Sequence, residues 1–296
     1  MPIPVDYDHG ASLVFGGVTP QPDFDEARAL IVPVPYEQTT SYVTGTRLGP
    51  REILAASGQV EWWDDETATE PITVGLYTLP ELDLPHGDEA ASLATIRRVA
   101  AGLADRNTFL VFLGGEHSIT PAIVEALAPR VPGLSVLQID AHADLREAYQ
   151  GSRYSHASAM RRVLEVAPCT QVGIRSLSRE EAEALPGLET RVFYDRDMRR
   201  DRDWIDRVVD GLGRRVYLTV DCDGLDPAIL PEVGTPEPGG LGWYETLTLL
   251  RTLFAKREVV GCDLVELCPQ PGLVGSSFLC AKLVYKMLAY KFADRR

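Results

Sequence analysis

The segment LSVLQIDAHADLR (134–146) joins a largely apolar run to a group of acidic residues and a histidine. Such a run, bounded by polar residues, is typical of a strand that is buried on both faces of a parallel sheet. The same succession occurs where FLVFL (109–113) leads into GGEHS and where VYLTV (216–220) leads into DCDGLD. Ligands of open α/β sheets bind beyond the carboxyl ends of the strands, so these segments are expected to deliver polar side chains to one edge.

Helical periodicities alternate with apolar runs along most of the remaining chain. Two further strands are predicted at ALIVPV (29–34) and VVGCDLVEL (259–267). Helices are expected over 88–104, after Pro50, after Thr120–Pro121, after the capping box of Ser178 and Glu181, over 205–212, over 247–254 and over 277–290. This alternation predicts an α/β fold, a single three-layer α/β/α domain (1–296) around a central, mainly parallel sheet. Residues 58–87 are the least regular and are expected to run over the surface.

The charge balance of the chain restricts its partners. The 29 Lys and Arg residues and 43 Asp and Glu residues give a net charge of −14, without a long basic run. A nucleic-acid partner is therefore not expected, whereas small cationic ligands are attracted by an acidic field, although acidity also serves solubility.

No segment of the sequence indicates a membrane or an oxidising compartment. No apolar run approaches the roughly 18 residues of a membrane span, and the N-terminal MPIPVDYDHG lacks signal-peptide features. The five cysteines include no C-x-x-C pair, and most of them stand in apolar runs, as reduced, buried thiols do. A cytoplasmic location is expected.

The acidic residues and histidines at the three strand ends have the spacing of metal ligands. Residues i, i+2 and i+4 of an extended segment point to one side, so Asp140, His142 and Asp144 are expected to converge, as are Asp221 and Asp223. Crowded carboxylates repel one another and are costly to bury, and divalent cations remove both penalties. The candidate ligands are His117, Asp140, His142, Asp144, Asp221 and Asp223, with Asp226 in the same motif.

This candidate set exceeds the needs of one ion, so two ions that share carboxylates are predicted. The alternative is that the aspartates only cap turns and helices after the strands. A carboxylate-rich set with two histidines favours Mn²⁺ over structural zinc, magnesium or calcium, and it leaves cobalt, iron or catalytic zinc open.

Six segments of the chain form a recognisable combination. They are TGTRLGPREI (44–53), GGEHSIT (114–120), DAHADLR (140–146), YSHAS (154–158), DCDGLDPAILPEVGTPEPGGL (221–241) and DLVEL (263–267). Together they resemble the ureohydrolase family, which includes arginases, agmatinases and related amidinohydrolases. The resemblance covers nearly the whole chain, and it implies the same three-layer fold that the alternation predicts.

The resemblance implies a pair of manganese ions and a role for each candidate residue. His117 and Asp144 would hold one ion, His142 and Asp223 the other, and Asp140 and Asp221 would bridge them together with a water or hydroxide. The reaction would be attack on a guanidinium carbon, with release of urea and an amine. Besides binding metal, Asp144 would pass a proton to the leaving nitrogen, His156 would take part in proton transfer, and Glu266 would hold the guanidinium. An ordinary loop histidine and a structural glutamate are the alternatives for the last two.

The substrate is predicted from the loop before His156. Its sequence, EAYQGSRYSHAS (147–158), lacks the serine- and asparagine-bearing pattern with which arginases bind the amino-acid end of arginine. Agmatine, cleaved to putrescine and urea, is therefore the expected substrate. N1-aminopropylagmatine, a precursor of spermidine, fits the same argument. Formimidoylglutamate and guanidinobutyrate stay open, the former because Arg146 and Arg153 could meet carboxylates.

Three other aspects of the resemblance matter. The family implies a homo-oligomer, a trimer or hexamer. Cys222 and Gly224 stand where family members more often carry larger aliphatic residues, and LCPQPG (267–272) lacks the asparagine of arginases. A two-metal phosphoesterase and a metal-binding pseudoenzyme are the competing classes, and neither accounts for both Glu266 and the complete ligand set.

Overall fold

A sheet of eight strands runs through residues 13–293, the part of the chain that this computed structural model describes. Every pairing between neighbouring strands is parallel. The strands are β1 (Ala29–Val34), β2 (Leu76–Thr78), β3 (Phe109–Gly114), β4 (Leu134–Ile139), β5 (Cys169–Ile174), β6 (Thr190–Tyr194), β7 (Arg215–Asp221) and β8 (Glu258–Val265). Their spatial order is β2-β1-β3-β8-β7-β4-β5-β6.

Helices cover both faces of this sheet. The apolar core is divided into two clusters, one on each face of the sheet. Successive residues of β1 alternate between them: Ala29 and Ile31 belong to one cluster, and Leu30 and Val32 belong to the other. The three-layer α/β/α prediction is confirmed. The helices are α1 (Gly49–Ser57), α2 (Glu89–Ala104), α3 (Ile119–Leu127), α4 (Ala159–Val163), α5 (Arg179–Ala184), α6 (Asp195–Met198), α7 (Trp204–Asp210), α8 (Trp243–Lys256) and α9 (Gly275–Phe292).

Helix ends follow the capping signals of the sequence in most places. The predicted capping box is present, because Ser178 Oγ accepts from the backbone N–H of Glu181 and the Glu181 side chain accepts from that of Ser178. The predicted start of α3, with Thr120 as N-cap and Pro121 as the first helical residue, was wrong by two residues: the helix begins at Ile119, and Pro121 is its third residue. Proline fits there because the first turn of a helix has no internal partner for its N–H groups.

Strands β2, β5 and β6 were not predicted. β5 has the sequence CTQVGI, and its polar residues hide the apolar run that marks the other strands. Gln171 of β5 is fully buried, and its side-chain amide donates to Gln138 Oε1 (2.5 Å) and to the carbonyl of Ala143 (2.6 Å). A buried amide with partners behaves as core.

The prediction that residues 58–87 run over the surface was wrong. This stretch contains the edge strand β2, and Leu79 and Leu82 are buried. Within it, Asp64 is fully buried and its Oδ2 lies 2.8 Å from Nζ of Lys286 on α9. A buried ion pair with a residue more than two hundred positions away cannot be seen in the local pattern, which explains the error.

The N-terminal MPIPVDYDHG lies outside the described residues. Within the described range, the helices are all too short or too polar to cross a membrane.

We expect the Lys286–Asp64 pair to anchor residues 58–87 to α9. Lys286→Met would leave the carboxylate of Asp64 buried without its cation, which costs about 3–5 kcal/mol of unfolding free energy for a buried pair. The measurement is urea unfolding of the purified protein. Lys256→Met is the matched control, because Lys256 pairs with Asp206 at the surface (2.8 Å) and surface pairs contribute about 0–1 kcal/mol. Equal losses in the two variants would contradict the anchoring role.

Candidate metal centre

The four central strands end at one edge of the sheet, and each carries candidate site residues there. His117 follows β3, Glu266 follows β8, Asp221 ends β7 and Asp140 directly follows β4. The expectation that several strand ends deliver their polar residues to one edge is thus met by neighbouring strands.

The turn after β7 packs on the backbone that follows β4. Asp221 Oδ1 accepts from the backbone N–H of Asp223 (2.9 Å) and caps a 3₁₀ turn over Cys222–Gly224. A Cβ at Gly224 would stand 2.7 Å from the backbone nitrogen of Asp140, so this chain has no room there for the larger residue that family resemblance suggests. Capping and cluster formation are not alternatives at Asp221, because its other oxygen faces the cluster.

The segment after β4 is only partly extended. Asp140 Oδ1 accepts from the backbone N–H of His142 (2.6 Å), and its Oδ2 accepts from Gln138 Nε2 (2.6 Å). Asp144 has a φ of +54°, in the left-handed region. The expected alternation was therefore wrong for Asp144, whose carboxylate reaches the cluster through a backbone turn.

All six candidate ligands lie together. His117 Nδ1 is 3.1 Å from Asp140 Oδ2, 3.1 Å from Asp144 Oδ2 and 3.3 Å from Asp221 Oδ2. His142 Nδ1 is 2.9 Å from Asp223 Oδ2 and 3.7 Å from Asp140 Oδ1. Two groups of ligand-type atoms result, and they share Asp140: one is His117, Asp140 and Asp221, and the other is Asp140, His142 and Asp223.

The ring of His117 is oriented by a hydrogen bond at Nε2, on the side away from the carboxylates. Thr219 Oγ1 lies 2.9 Å from its Nε2 and 3.4 Å from Thr120 Oγ1, and Thr120 in turn donates to Oδ2 of the buried Asp263 (2.8 Å). When Nε2 donates to Thr219, Nδ1 presents a lone pair to the carboxylates. This is the usual arrangement behind a metal-ligating histidine.

The cluster fits a divalent cation. His117 Nδ1 is buried and has no hydrogen bond of acceptable geometry within the described part of the chain, although three carboxylate oxygens surround it. A cation among these atoms would satisfy the nitrogen and the carboxylates together. Carboxylate oxygens with two imidazoles suit Mn²⁺ and its first-row neighbours.

The pKa values of the cluster residues depart strongly from their ordinary values. Burial, and then the charge of Asp140, raises the pKa of Asp144 to about 7, and burial together with Asp223 and Asp140 raises that of Asp221. Burial alone would lower the pKa of His142, but the carboxylate of Asp223 raises it to about 12. The buried carboxylates repel one another and stabilise positive charge nearby, so the cluster attracts a cation.

Glu266 stands at the end of β8 in a left-handed conformation, with a φ of +64°. This turn ends the strand at Val265, two residues before the predicted end. Glu266 Oε1 accepts from the backbone N–H of His117 (2.7 Å), and the Glu266 N–H donates to the carbonyl of Gly115 (2.7 Å). Burial, and then the charge of Glu116, raises the pKa of Glu266.

His156 lies apart from the ligand cluster but on the same cavity. Its Nδ1 is 3.1 Å from Thr39 Oγ1, and Tyr149 packs edge-on against its ring at 5.9 Å. Burial and the positive charges of His142 and His117 lower the pKa of His156 to about 4.

A cavity of about 210 Å³ joins these groups. Arg146 lines it, 3.8 Å from Glu181 and 3.9 Å from Glu180, and its guanidinium lies 5.1 Å from the ring of Tyr149. The other lining residues are Thr40, Ser41, Tyr42, Val43, His117, His142, Asp144, Tyr149, His156, Ala157, Asp221, Asp223, Gly234, Thr235 and Glu266. Arg153, by contrast, pairs with Glu165 (2.9 Å) away from this lining.

Two residues of the DCDGLD motif stand outside the cluster. Asp226 caps a turn by accepting from the backbone N–H of Ala228 (2.8 Å). Cys222 is buried, with its sulfur 3.5 Å from that of Cys280 and away from the ligands. Burial raises the pKa of the Cys222 thiol, so it is not an activated thiolate.

Sequence reasoning missed Glu116 and Thr39. Glu116 is fully buried, directly before His117, and it accepts from the backbone N–H groups of residues 38–40, which include cavity-lining Thr40. The signal that could have found it is a charged residue in GGEHS with no cation close in sequence, since buried carboxylates need partners. Thr39 carries no comparable signal.

Comparisons with known proteins agree with this geometry. The family model described as Arginase family matches residues 27–289. A Synechocystis protein named N(1)-aminopropylagmatine ureohydrolase is 42% identical over 275 residues, 90% of each chain. The agmatinase of Bacillus cereus is 33% identical and covers 84% of this chain and 86% of its own. The crystal structure of agmatine ureohydrolase of Thermoplasma volcanium superposes with a TM-score of 0.83 at 32% identity over 90% of each chain.

These findings agree with the resemblance expected from the six sequence segments. The family model spans most of the chain, and it covers every residue of the ligand cluster together with His156 and Glu266. The chain therefore belongs to the arginase family and is a hydrolase of the ureohydrolase type.

Proposed function

We propose that the chain hydrolyses the guanidino group of a cationic guanidinoalkylamine to urea and an amine. The observation that carries this proposal is one cavity lined by members of both ligand groups, by the carboxylate of Glu266 and by the imidazole of His156. A guanidinium that enters this cavity meets carboxylates and few competing cations, because the cation that lines it, Arg146, stands beside two glutamates.

The metal proposal is two Mn²⁺ ions. His117 and Asp144 would hold one and His142 and Asp223 the other, while Asp140 and Asp221 would serve both. When bound, such ions lower the pKa of water, so that a hydroxide nucleophile is available near neutral pH. Two contacts support this division of the ligands between the ions: Asp144 lies against His117, and Asp223 lies against His142.

Three side chains of the cavity would handle the substrate. Glu266 would accept N–H bonds from the guanidinium, an arrangement that fixes its orientation. One oxygen of Glu266 already accepts from the His117 backbone, which holds the carboxylate in place. Asp144 would carry a proton toward the leaving nitrogen, because its carboxylate lines the cavity beside His117. His156 would exchange a proton at Nε2.

Two substrates fit the proposal. Agmatine would give putrescine, and N1-aminopropylagmatine would give spermidine. The second is favoured by the 42% identity to a protein named N(1)-aminopropylagmatine ureohydrolase, against 33% to an agmatinase. Both carry amines instead of a carboxylate at the distal end.

Several broader features of the protein stay proposals. A homo-oligomer (trimer or hexamer) and a single domain over residues 1–296 follow from the family resemblance. A cytoplasmic location is supported by the five cysteines, which are all unpaired and buried.

Asp221→Ala removes a carboxylate that both ions would share. We expect metal analysis of the dialysed variant to show loss of tightly bound manganese, and urea release to fall at least about 100-fold, since the ions supply several kcal/mol of charge stabilisation. Asp226→Ala is the matched control from the same motif, because Asp226 only caps a turn. Unchanged manganese content with full turnover in Asp221→Ala would refute the ligand assignment.

His156→Ala removes the proposed proton-transfer group and leaves the six ligands untouched. We expect two manganese ions per chain to be retained and kcat to fall roughly 10²–10⁴-fold, the range for a general acid or base. Metal analysis and steady-state kinetics test this together. Loss of one ion would instead make His156 a ligand.

The substrate class is tested by comparing kcat/KM for four compounds at one manganese concentration: agmatine, N1-aminopropylagmatine, arginine and guanidinobutyrate. We expect the two amines to exceed the two carboxylates, because burying a carboxylate without a partner costs several kcal/mol. The two amines should differ by about 10–200-fold at most, the scale of discrimination for a few methylenes. If guanidinobutyrate or arginine is the best substrate, Arg146 binds carboxylate and the polyamine proposal is wrong.

A further inference from the structure

Glu116 collects hydrogen-bond donors from the loop that lines the cavity. Its Oε1 accepts from the backbone N–H groups of Gln38 (2.5 Å), Thr39 (2.5 Å) and Thr40 (3.0 Å). Its Oε2 contacts the hydroxyls of Ser118 (3.1 Å) and Thr39. Backbone N–H groups can only donate, so Oε1 is an acceptor in every arrangement of the hydroxyl protons.

Thr39 Oγ1 connects this carboxylate to His156. The oxygen accepts from the backbone N–H of His156 (3.1 Å), lies 3.1 Å from its Nδ1 and is hydrogen-bonded to Glu116 Oε2. A threonine hydroxyl has one proton and two lone pairs. If the proton goes to the carboxylate, both lone pairs remain for His156, one for its backbone N–H and one for Nδ1.

We infer that Glu116 and Thr39 are positioning residues that fix the tautomer of His156. With Thr39 donating to Glu116, the closer contact of Nδ1, to Thr39 Oγ1 (3.1 Å), is a hydrogen bond only if Nδ1 carries the proton, and the Ser155 hydroxyl, 3.4 Å from Nδ1, then accepts from it as well. Nε2 is left with a lone pair. Within the described residues Nε2 has no hydrogen-bond partner, and the ring lines the cavity. The inference rests on the proposed role of His156 and adds the direction in which its proton moves.

The tautomer decides what His156 can do first. A neutral ring with Nδ1–H accepts at Nε2 the proton that the attacking water loses, and it becomes an imidazolium. After Asp144 has passed a proton to the leaving nitrogen, the same Nε2–H gives a second proton to the released amine, which becomes an ammonium, and the starting tautomer is regenerated. Throughout this cycle Nδ1–H keeps its bond to Thr39, so the ring does not have to turn. The opposite tautomer would offer a donor where an acceptor is needed.

Glu116→Gln reverses the polarity of the chain of hydrogen bonds. The glutamine carbonyl can still accept from residues 38–40, but its amide donates to Thr39 Oγ1, so the threonine proton turns to Nδ1 of His156. We expect kcat to fall at least about 100-fold with KM and manganese content unchanged, since a wrong histidine tautomer costs about 10⁴ in the Ser-His-Asp triad. Nitrogen-15 NMR of histidine-labelled protein loaded with diamagnetic Zn²⁺ should show the proton on Nδ1 in the parent and on Nε2 in this variant.

Variants of Thr39 distinguish the effect of losing its hydroxyl from the effect of disturbing the fold. Thr39→Val should lower kcat about 10-fold or more, the equivalent of one lost hydrogen bond in the transition state, while Thr39→Ser should restore it. Gln38→Ala is the control from the same loop, because its side chain reaches Ser92 and its backbone donor to Glu116 is kept. We expect its kcat to match the parent.

The outcomes distinguish this inference from the proposed function. If His156→Ala is slow but Glu116→Gln and Thr39→Val turn over normally, His156 has its role and the positioning inference is wrong. If His156→Ala itself is unimpaired, the proposed function of His156 fails first. An unchanged nitrogen-15 pattern in Glu116→Gln would overturn the inference whatever its kinetics, and a fall in kcat for Thr39→Ser equal to that of Thr39→Val would do the same.

Discussion

Mutual repulsion among buried aspartates is the constraint on which the rest of this structure depends. Four aspartates are almost fully buried, and each has a carboxylate oxygen within 3.3 Å of a histidine Nδ1: Asp140, Asp144 and Asp221 beside His117, and Asp223 beside His142. Such a group cannot be assembled by mutual attraction, so the scaffold must hold it against its own charge. Four adjacent strands of a sheet whose apolar residues are packed on both faces supply that rigidity.

The backbone contributes as much as the side chains to this arrangement. The turn at Gly224 approaches Asp140 more closely than any side chain would allow, which brings two strand ends together. Backbone N–H groups also fix one oxygen of Asp221 and of Glu266, and both oxygens of Asp140 are held, Oδ1 by a backbone N–H and Oδ2 by the Gln138 amide. The charged groups therefore have defined orientations before anything binds.

The sequence was sufficient where a function depends on residues that stand next to a buried strand. Asp140 and Asp221 were identifiable for that reason, since a largely apolar run of five or six residues and a following carboxylate are both visible locally. It was insufficient where the decisive contact is distant or depends on a backbone angle. Glu116 binds a loop more than seventy residues away, and the left-handed turn at Asp144 is not encoded by a glycine. Polar strands such as β5 were missed because their partners, like Gln138, lie on other strands.

Two of the proposed working residues, Asp144 and Glu266, have backbone angles that L-amino acids other than glycine adopt only at a cost of about 1–3 kcal/mol. Glycine would relieve that cost at either position, and at Asp144 it would also remove a buried like charge. Directed evolution toward thermal tolerance alone would thus favour loss of these side chains, and only simultaneous selection for turnover would retain them. The two residues mark where heat resistance and catalysis are in direct conflict in this chain.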